Sequence, residues 1–236
     1  MGDEPDATPA RFEEYADGRG DARFSEWLRE RSEPAWTEAT RHRFVAELGD
    51  DTLDEAVFRR YLVQDYAFLE LGARTTALAV AQAPSMDEMR RLSEQLSVLT
   101  GSENDYFERA FAELGVPEAE WREPPLEPTT RAFTDFVLRA AHEGGYEETL
   151  STTLAAEWVY LDWARHVADR GPERWYLDEW IEIHTVEEFE AYVEWLREQF
   201  DTYGPELSAR RQRRVAELFS RTVDLEVAFF DMAYES

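Results

Sequence analysis

Cysteine is absent from the 236 residues. Its absence excludes disulfides, cysteine-ligated zinc, iron–sulfur clusters and every thiol mechanism. Lysine is absent too, so all 25 basic residues are arginine. They face 52 acids, for a formal net charge of -27 and a pI near 4.4. Such a surface repels phosphate backbones and anionic headgroups, which argues against nucleic acid and membranes as partners. An acid-rich, lysine-free surface fits a halophilic protein, since a Debye length of about 3 Å at 1 M salt screens self-repulsion. No run of about 18 apolar residues offers a membrane span. The first residues lack the basic and apolar regions of a signal peptide, so a cytoplasmic protein is expected. The histidines, His42, His142, His166 and His184, form no HExxH pair. No phosphate loop, dinucleotide turn or GxSxG elbow is present either, and neither a metal site nor a cofactor is expected.

What remains is apolar and aromatic. Hydrophobic residues make up 43% and aromatics 14%, enough for a sizeable core in one domain. Residues 1–21 hold seven acids and two arginines and read as a mobile acidic tail. From residue 22 onward the apolar spacing is helical. One helix is expected from Pro34 to Gly49, and a second from Thr52 or Asp54 to the break at Pro84. A third runs from Ser85 to Leu114, ahead of a proline-rich loop. Later helices cover 128–142, 146–170, 175–181, 186–203 and a last one from Pro205 to Tyr234. No alternating strand or hairpin turn interrupts them. The chain therefore reads as an all-α, single-domain bundle of about eight helices over residues 22–236. Periodicity alone does not choose between a bundle, a solenoid and a globin-like pack.

Three acids stand on apolar helix faces. Asp65 shares a stripe with Tyr61, Phe68 and Gly72. A carboxylate there is costly unless paired, with Arg74 or Arg109 as possible partners, or unless it faces a ligand cavity. Glu226 lies among Val223, Leu225, Val227, Phe229 and Phe230, and burial there would raise its pKa toward the range of a general acid or base. Glu157 shares a face with Tyr160. The ordinary alternative is a solvent-facing side chain for Glu226, and a buried pair or a surface side chain for Glu157. The dense aromatics Trp158, Tyr160, Trp163, Trp175, Tyr176 and Trp180 suit either a core or a pocket that stacks a flat ring.

The run RHRFVAELGDDTLDEAVFRRYLVQDYAFL, residues 41–69, resembles the signature of the TenA/thiaminase II family. That signature reads HPFV, a DGTL-like turn, then F-x-x-Y-x-x-QD-x-x-Y/F-L. Gln64, Asp65 and Phe68 fall in register, as do Trp180-Ile181 and the closing set Glu226, Phe230, Met232, Ala233 and Tyr234. The resemblance implies a heme-oxygenase-like helical fold without heme, assembled as a homotetramer, that hydrolyses aminopyrimidine breakdown products in thiamin salvage. It implies that Asp65 grips the aminopyrimidine and that Glu226 is an acid/base. Phe68, Phe133 and Tyr160 would sandwich or orient the ring, and His184 occupies a further ring-contact position that is Tyr elsewhere. Ala156 stands where many members carry the nucleophilic Cys, so the chain is similar to the Cys-lacking branch, with Glu157 as the replacement catalytic group. The expected substrate is the aminomethyl- or formylaminomethyl-pyrimidine. The alternatives are a metal-dependent or cofactor-biosynthesis oxidase of the same fold, and a non-catalytic pyrimidine-binding protein.

Overall fold

The structure, a computed structural model, describes residues 8–101 and 103–235. Among them are thirteen α-helices and two single 3-10 turns, with no strand. Eight helices are nine residues or longer: α5 (Glu55–Gln82), α6 (Met86–Leu99), α7 (Glu103–Glu113), α9 (Pro128–Glu143), α10 (Tyr146–Val167), α11 (Trp175–Ile183), α12 (Glu187–Tyr203) and α13 (Ala209–Met232). The rest are short: α1 (Phe12–Ala16), α2 (Phe24–Glu30), α3 (Ala35–Thr40), α4 (Arg43–Gly49) and α8 (Glu118–Trp121).

Local chemistry sets these boundaries. The Asp54 carboxylate accepts from the Ala56 N–H at 2.8 Å and starts α5, and Ser85 accepts from Asp87 at 3.1 Å to start α6, the usual N-cap arrangement. Two helices expected as single pieces are divided. The segment from Pro34 to Gly49 breaks at Arg41, because the His42 imidazole caps α4 by accepting from the Phe44 N–H at 3.1 Å. The segment from Ser85 to Leu114 breaks after Leu99, beside Gly101, a residue whose freedom disfavours helix interiors. At the glycine position of the DGTL-like turn stands Asp51, with φ of 58°, a conformation Asp tolerates better than most residues. Its carboxylate holds the Glu173 N–H and the Arg174 guanidinium, tying the turn to the approach to α11.

The described part of the expected acidic tail is packed, not free. Phe12 and Tyr15 of α1 are buried, with Phe12 against Phe24 and Trp27. The Trp27 indole donates to the Pro9 carbonyl at 2.9 Å. The aromatic pair outweighs the charge pattern that the sequence presents. Residues 1–7, the rest of that expectation, lie outside the described residues.

The long helices position the site. Helix α10 is buried on nearly every side and packs against α13, α12, α9, α3 and α5, as expected for a helix apolar all round. Ser151 fixes it to α13 by donating to the Val215 carbonyl at 2.8 Å. Helix α5 lies against α6, α9 and α10. No helix among the described residues is long and apolar enough to cross a membrane.

Candidate active site

Seven helices, α5, α6, α7, α9, α10, α11 and α13, close around one cavity of about 150 Å³. Helix α5 brings Asp65 and, one turn on, Phe68; α9 brings Phe133; α10 brings Ala156, Glu157 and Tyr160; α13 brings Glu226. His184, directly after α11, and Trp180 within it complete the wall. All seven residues singled out in the sequence therefore line the same hollow.

The polar groups are held in an apolar frame. Glu226 is 3% exposed and Asp65 8%. Burial, joined by the negative charges of Asp65 and Glu157, pushes the Glu226 carboxyl well above the usual carboxylate range. Its surroundings thus favour the protonated form of Glu226. The two arginines that offered themselves as partners for Asp65 are engaged elsewhere, Arg74 with Glu70 and Arg109 with Glu179. Asp65 instead accepts a long hydrogen bond, 3.4 Å, from the Tyr160 hydroxyl. Tyr160 in turn lies 2.7 Å from the Tyr61 hydroxyl. Either hydroxyl can be the donor of that second bond. Burial first, then neighbouring negative charge, holds the Tyr61 hydroxyl well above its ordinary pKa. Burial first, then the Tyr61 and Asp65 side chains, does the same for Tyr160. Both phenols therefore stay neutral. Next to Asp65, the Gln64 amide accepts from the Glu127 N–H at 2.9 Å and donates to the Pro125 carbonyl at 3.3 Å. This locks the register of α5 against the loop that precedes α9.

The rings build the remaining wall. Phe68 meets Phe133 edge-on at 5.2 Å and Phe229 at 4.9 Å. His184 packs against Tyr160 at 4.9 Å and Trp180 at 4.6 Å. Burial lowers the His184 pKa to about 4, so the ring is neutral. Ala156 contributes a methyl group and leaves no nucleophilic atom at its place. Among the described residues no three His, Asp or Glu side chains gather as a metal-ligating group.

Some residues in or behind the cavity wall were not singled out as site residues beforehand. Tyr61 stands one helical turn before Asp65, and that spacing was the available signal. Thr75 and Thr152 also line or border the hollow, but their hydroxyls bond carbonyls of their own helices at 2.9 Å each. Nothing in the sequence distinguishes them from ordinary helix threonines. Leu99 and Phe107 read as core.

The arrangement has relatives. An aminopyrimidine aminohydrolase of Helicobacter pylori is 27% identical over 214 residues, covering 90% of this chain and 99% of that protein. The solved structure of a TenA homologue from Pyrococcus furiosus superposes with a TM-score of 0.82 at 25% identity, over 89% of this chain and all of that one. A domain of unknown function from Shewanella denitrificans, described as having a heme oxygenase-like fold, superposes at 0.67 with 13% identity, over 88% and 90% of the two chains. The fold is therefore heme-oxygenase-like. The profile of the TENA/THI-4/PQQC family matches residues 29–236, which span every helix that supplies the cavity, and the chain belongs to that family.

Proposed function

We propose that this protein is a hydrolase of thiamin-derived aminopyrimidines, acting in thiamin salvage through carboxylates rather than a thiol. The observation that carries this reading is the buried Glu226, its carboxyl pushed above the usual range, lining one hollow with Asp65 and Glu157. A cavity near 150 Å³ holds one six-membered ring. The aminohydrolase from Helicobacter pylori, alike over nearly its whole length, supports the same substrate class.

In this reading Asp65 accepts hydrogen bonds from the exocyclic amine and a protonated ring nitrogen, a bidentate use of one carboxylate. The Tyr61–Tyr160 pair orients it. Phe68, Phe133 and Tyr160 fix the ring plane and exclude water. The aminomethyl arm then lies among Glu226, Glu157 and His184. The bond between methylene carbon and nitrogen breaks with its electron pair on nitrogen, which takes the Glu226 proton and leaves as ammonia. Water adds its oxygen to the methylene carbon and gives its proton to Glu157. The products are the hydroxymethylpyrimidine and ammonia, and the two glutamates exchange their proton through solvent. Two carboxylates with separated proton affinities divide acid and base work in this way.

We further read the protein as cytoplasmic and halophilic from its charge, and as a homotetramer from the family resemblance. The decisive experiment incubates it in high salt with the aminomethylpyrimidine and its formyl derivative, with product detection by mass. Glu226→Gln should lower turnover about 100-fold or more while leaving substrate affinity nearly unchanged. Undiminished turnover would remove Glu226 from the chemistry. Tight binding without product in the parent protein would favour a non-catalytic pyrimidine binder.

A further inference from the structure

A second and larger cavity, about 600 Å³, adjoins the first. Leu99, Glu157 and His184 line both and form the partition between them. His184 is the informative member. Its Nδ1 lies 2.7 Å from the Trp180 carbonyl oxygen, which accepts and never donates, so Nδ1 carries the proton. Nε2 of the neutral ring is therefore a lone-pair acceptor. The side chain is 8% exposed, and the structure gives Nε2 no hydrogen-bond donor among the described residues. Nε2 is not among the fully buried polar atoms that lack a partner, so it stays within reach of the cavities as an acceptor for a ligand N–H.

The wall beyond the partition carries an apolar strip, Val98, Ile183, Val186, Phe189 and Ala191, set among charged residues. Three large hydrophobic side chains stand exposed among the described residues, and two of them, Val98 and Val186, belong to this wall. Its cations are neutralised. Arg109 pairs with Glu179, and Arg91 lies 3.9 Å from Glu94. The excess of acids there matches the rest of the surface, so charge does not define the ligand. Shape, apolar lining and one acceptor do.

We propose that this second cavity is an acyl subsite, which receives the hydrocarbon chain of aminomethylpyrimidine amides larger than the formyl derivative while the amide N–H donates to His184 Nε2. The inference rests on the proposed function and extends its substrate class. With the pyrimidine held by Asp65, the scissile amide lies at the partition, beside Glu157. The oxygen of water bonds to the carbonyl carbon, and its proton passes to Glu157. The carbon–nitrogen bond breaks with its pair on nitrogen, which takes the Glu226 proton. A carboxylic acid and the free aminomethylpyrimidine result.

The test compares the free aminomethylpyrimidine with its N-formyl, N-acetyl and N-butanoyl amides. The parent protein is measured beside Ala191→Trp and Val186→Trp, which add bulk to the outer wall of the second cavity. In the parent, kcat/KM for the acetyl and butanoyl amides should lie within about tenfold of the formyl amide. Each tryptophan variant should lower the butanoyl value about tenfold or more and leave the free amine unchanged. Equal effects on all substrates would overturn the proposal, as would a parent that turns over the free amine yet loses the acetyl amide more than 100-fold. A changed oligomeric state in the variants with unaltered acyl discrimination would assign this face to contact between copies and overturn it as well. Absence of turnover for every pyrimidine would sink the proposed function and this extension together.

Discussion

Glu226 is an acid kept uncharged by its surroundings, and that has a thermodynamic signature separate from catalysis. Its pKa is raised in the folded chain and ordinary in the unfolded one. Its neutral form is therefore compatible with folding below the unfolded value, and the fold loses stability as pH climbs from there toward the folded value. Glu226→Gln removes that titration. The variant should melt close to the parent near pH 4.5 and progressively above it from pH 5 to pH 8, as followed by circular dichroism. A constant difference across that range would mean that Glu226 is solvated. The position of this acid was legible in the sequence, because a glutamate among Val223, Phe229 and Phe230 violates the apolar pattern around it. Asp65 was legible for the same reason and through its Gln64 neighbour. The tautomer of His184 was not, since it depends on a carbonyl one turn back whose direction only the end of α11 reveals. Neither was the Tyr61–Tyr160 contact, which joins residues 99 positions apart.

Elements followed the sequence where a cap or a proline marked their ends. Helix α5 starts at the Asp54 cap and stops before Pro84, and α9 begins at Pro128. Breaks escaped notice where the apolar period continued through them, as at His42 and beside Gly101. A histidine cap is a weak signal, and the helical apolar spacing on both sides hides it. The packed α1 escaped because charge dominates residues 1–21, while the two rings that decide its fate are few. Close approach between elements was also invisible. At Gly204, between α12 and α13, an added Cβ would lie 2.5 Å from the Phe24 ring. That ring is 1% exposed and stacks with Phe200 at 6.4 Å, so it has nowhere to go. Gly204→Ala should cost about 1–3 kcal/mol as overpacking, a fall in Tm of roughly 3–10 °C. An unchanged Tm would show that α2 shifts freely against the α12–α13 corner.

For the whole molecule the governing quantity is the net charge of -27. Many of its ion pairs lie at the surface, such as Arg74–Glu70 and Arg122–Glu118, and each contributes little. Salt weakens these contacts and the general self-repulsion alike, and with acids outnumbering arginines 52 to 25 the repulsion is the larger effect. Raising KCl from 0.1 to 2 M should therefore increase Tm by about 5 °C or more, equivalent to roughly 1–2 kcal/mol for a chain of this size. A flat or falling Tm would show that the acids serve something other than life in brine. The methyl group of Ala156 carries a different implication. No sulfur atom borders the cavity among the described residues, so peroxide finds no thiol or thioether there to oxidise. Under the proposed carboxylate mechanism, the chemistry there would need no reductant to keep it working.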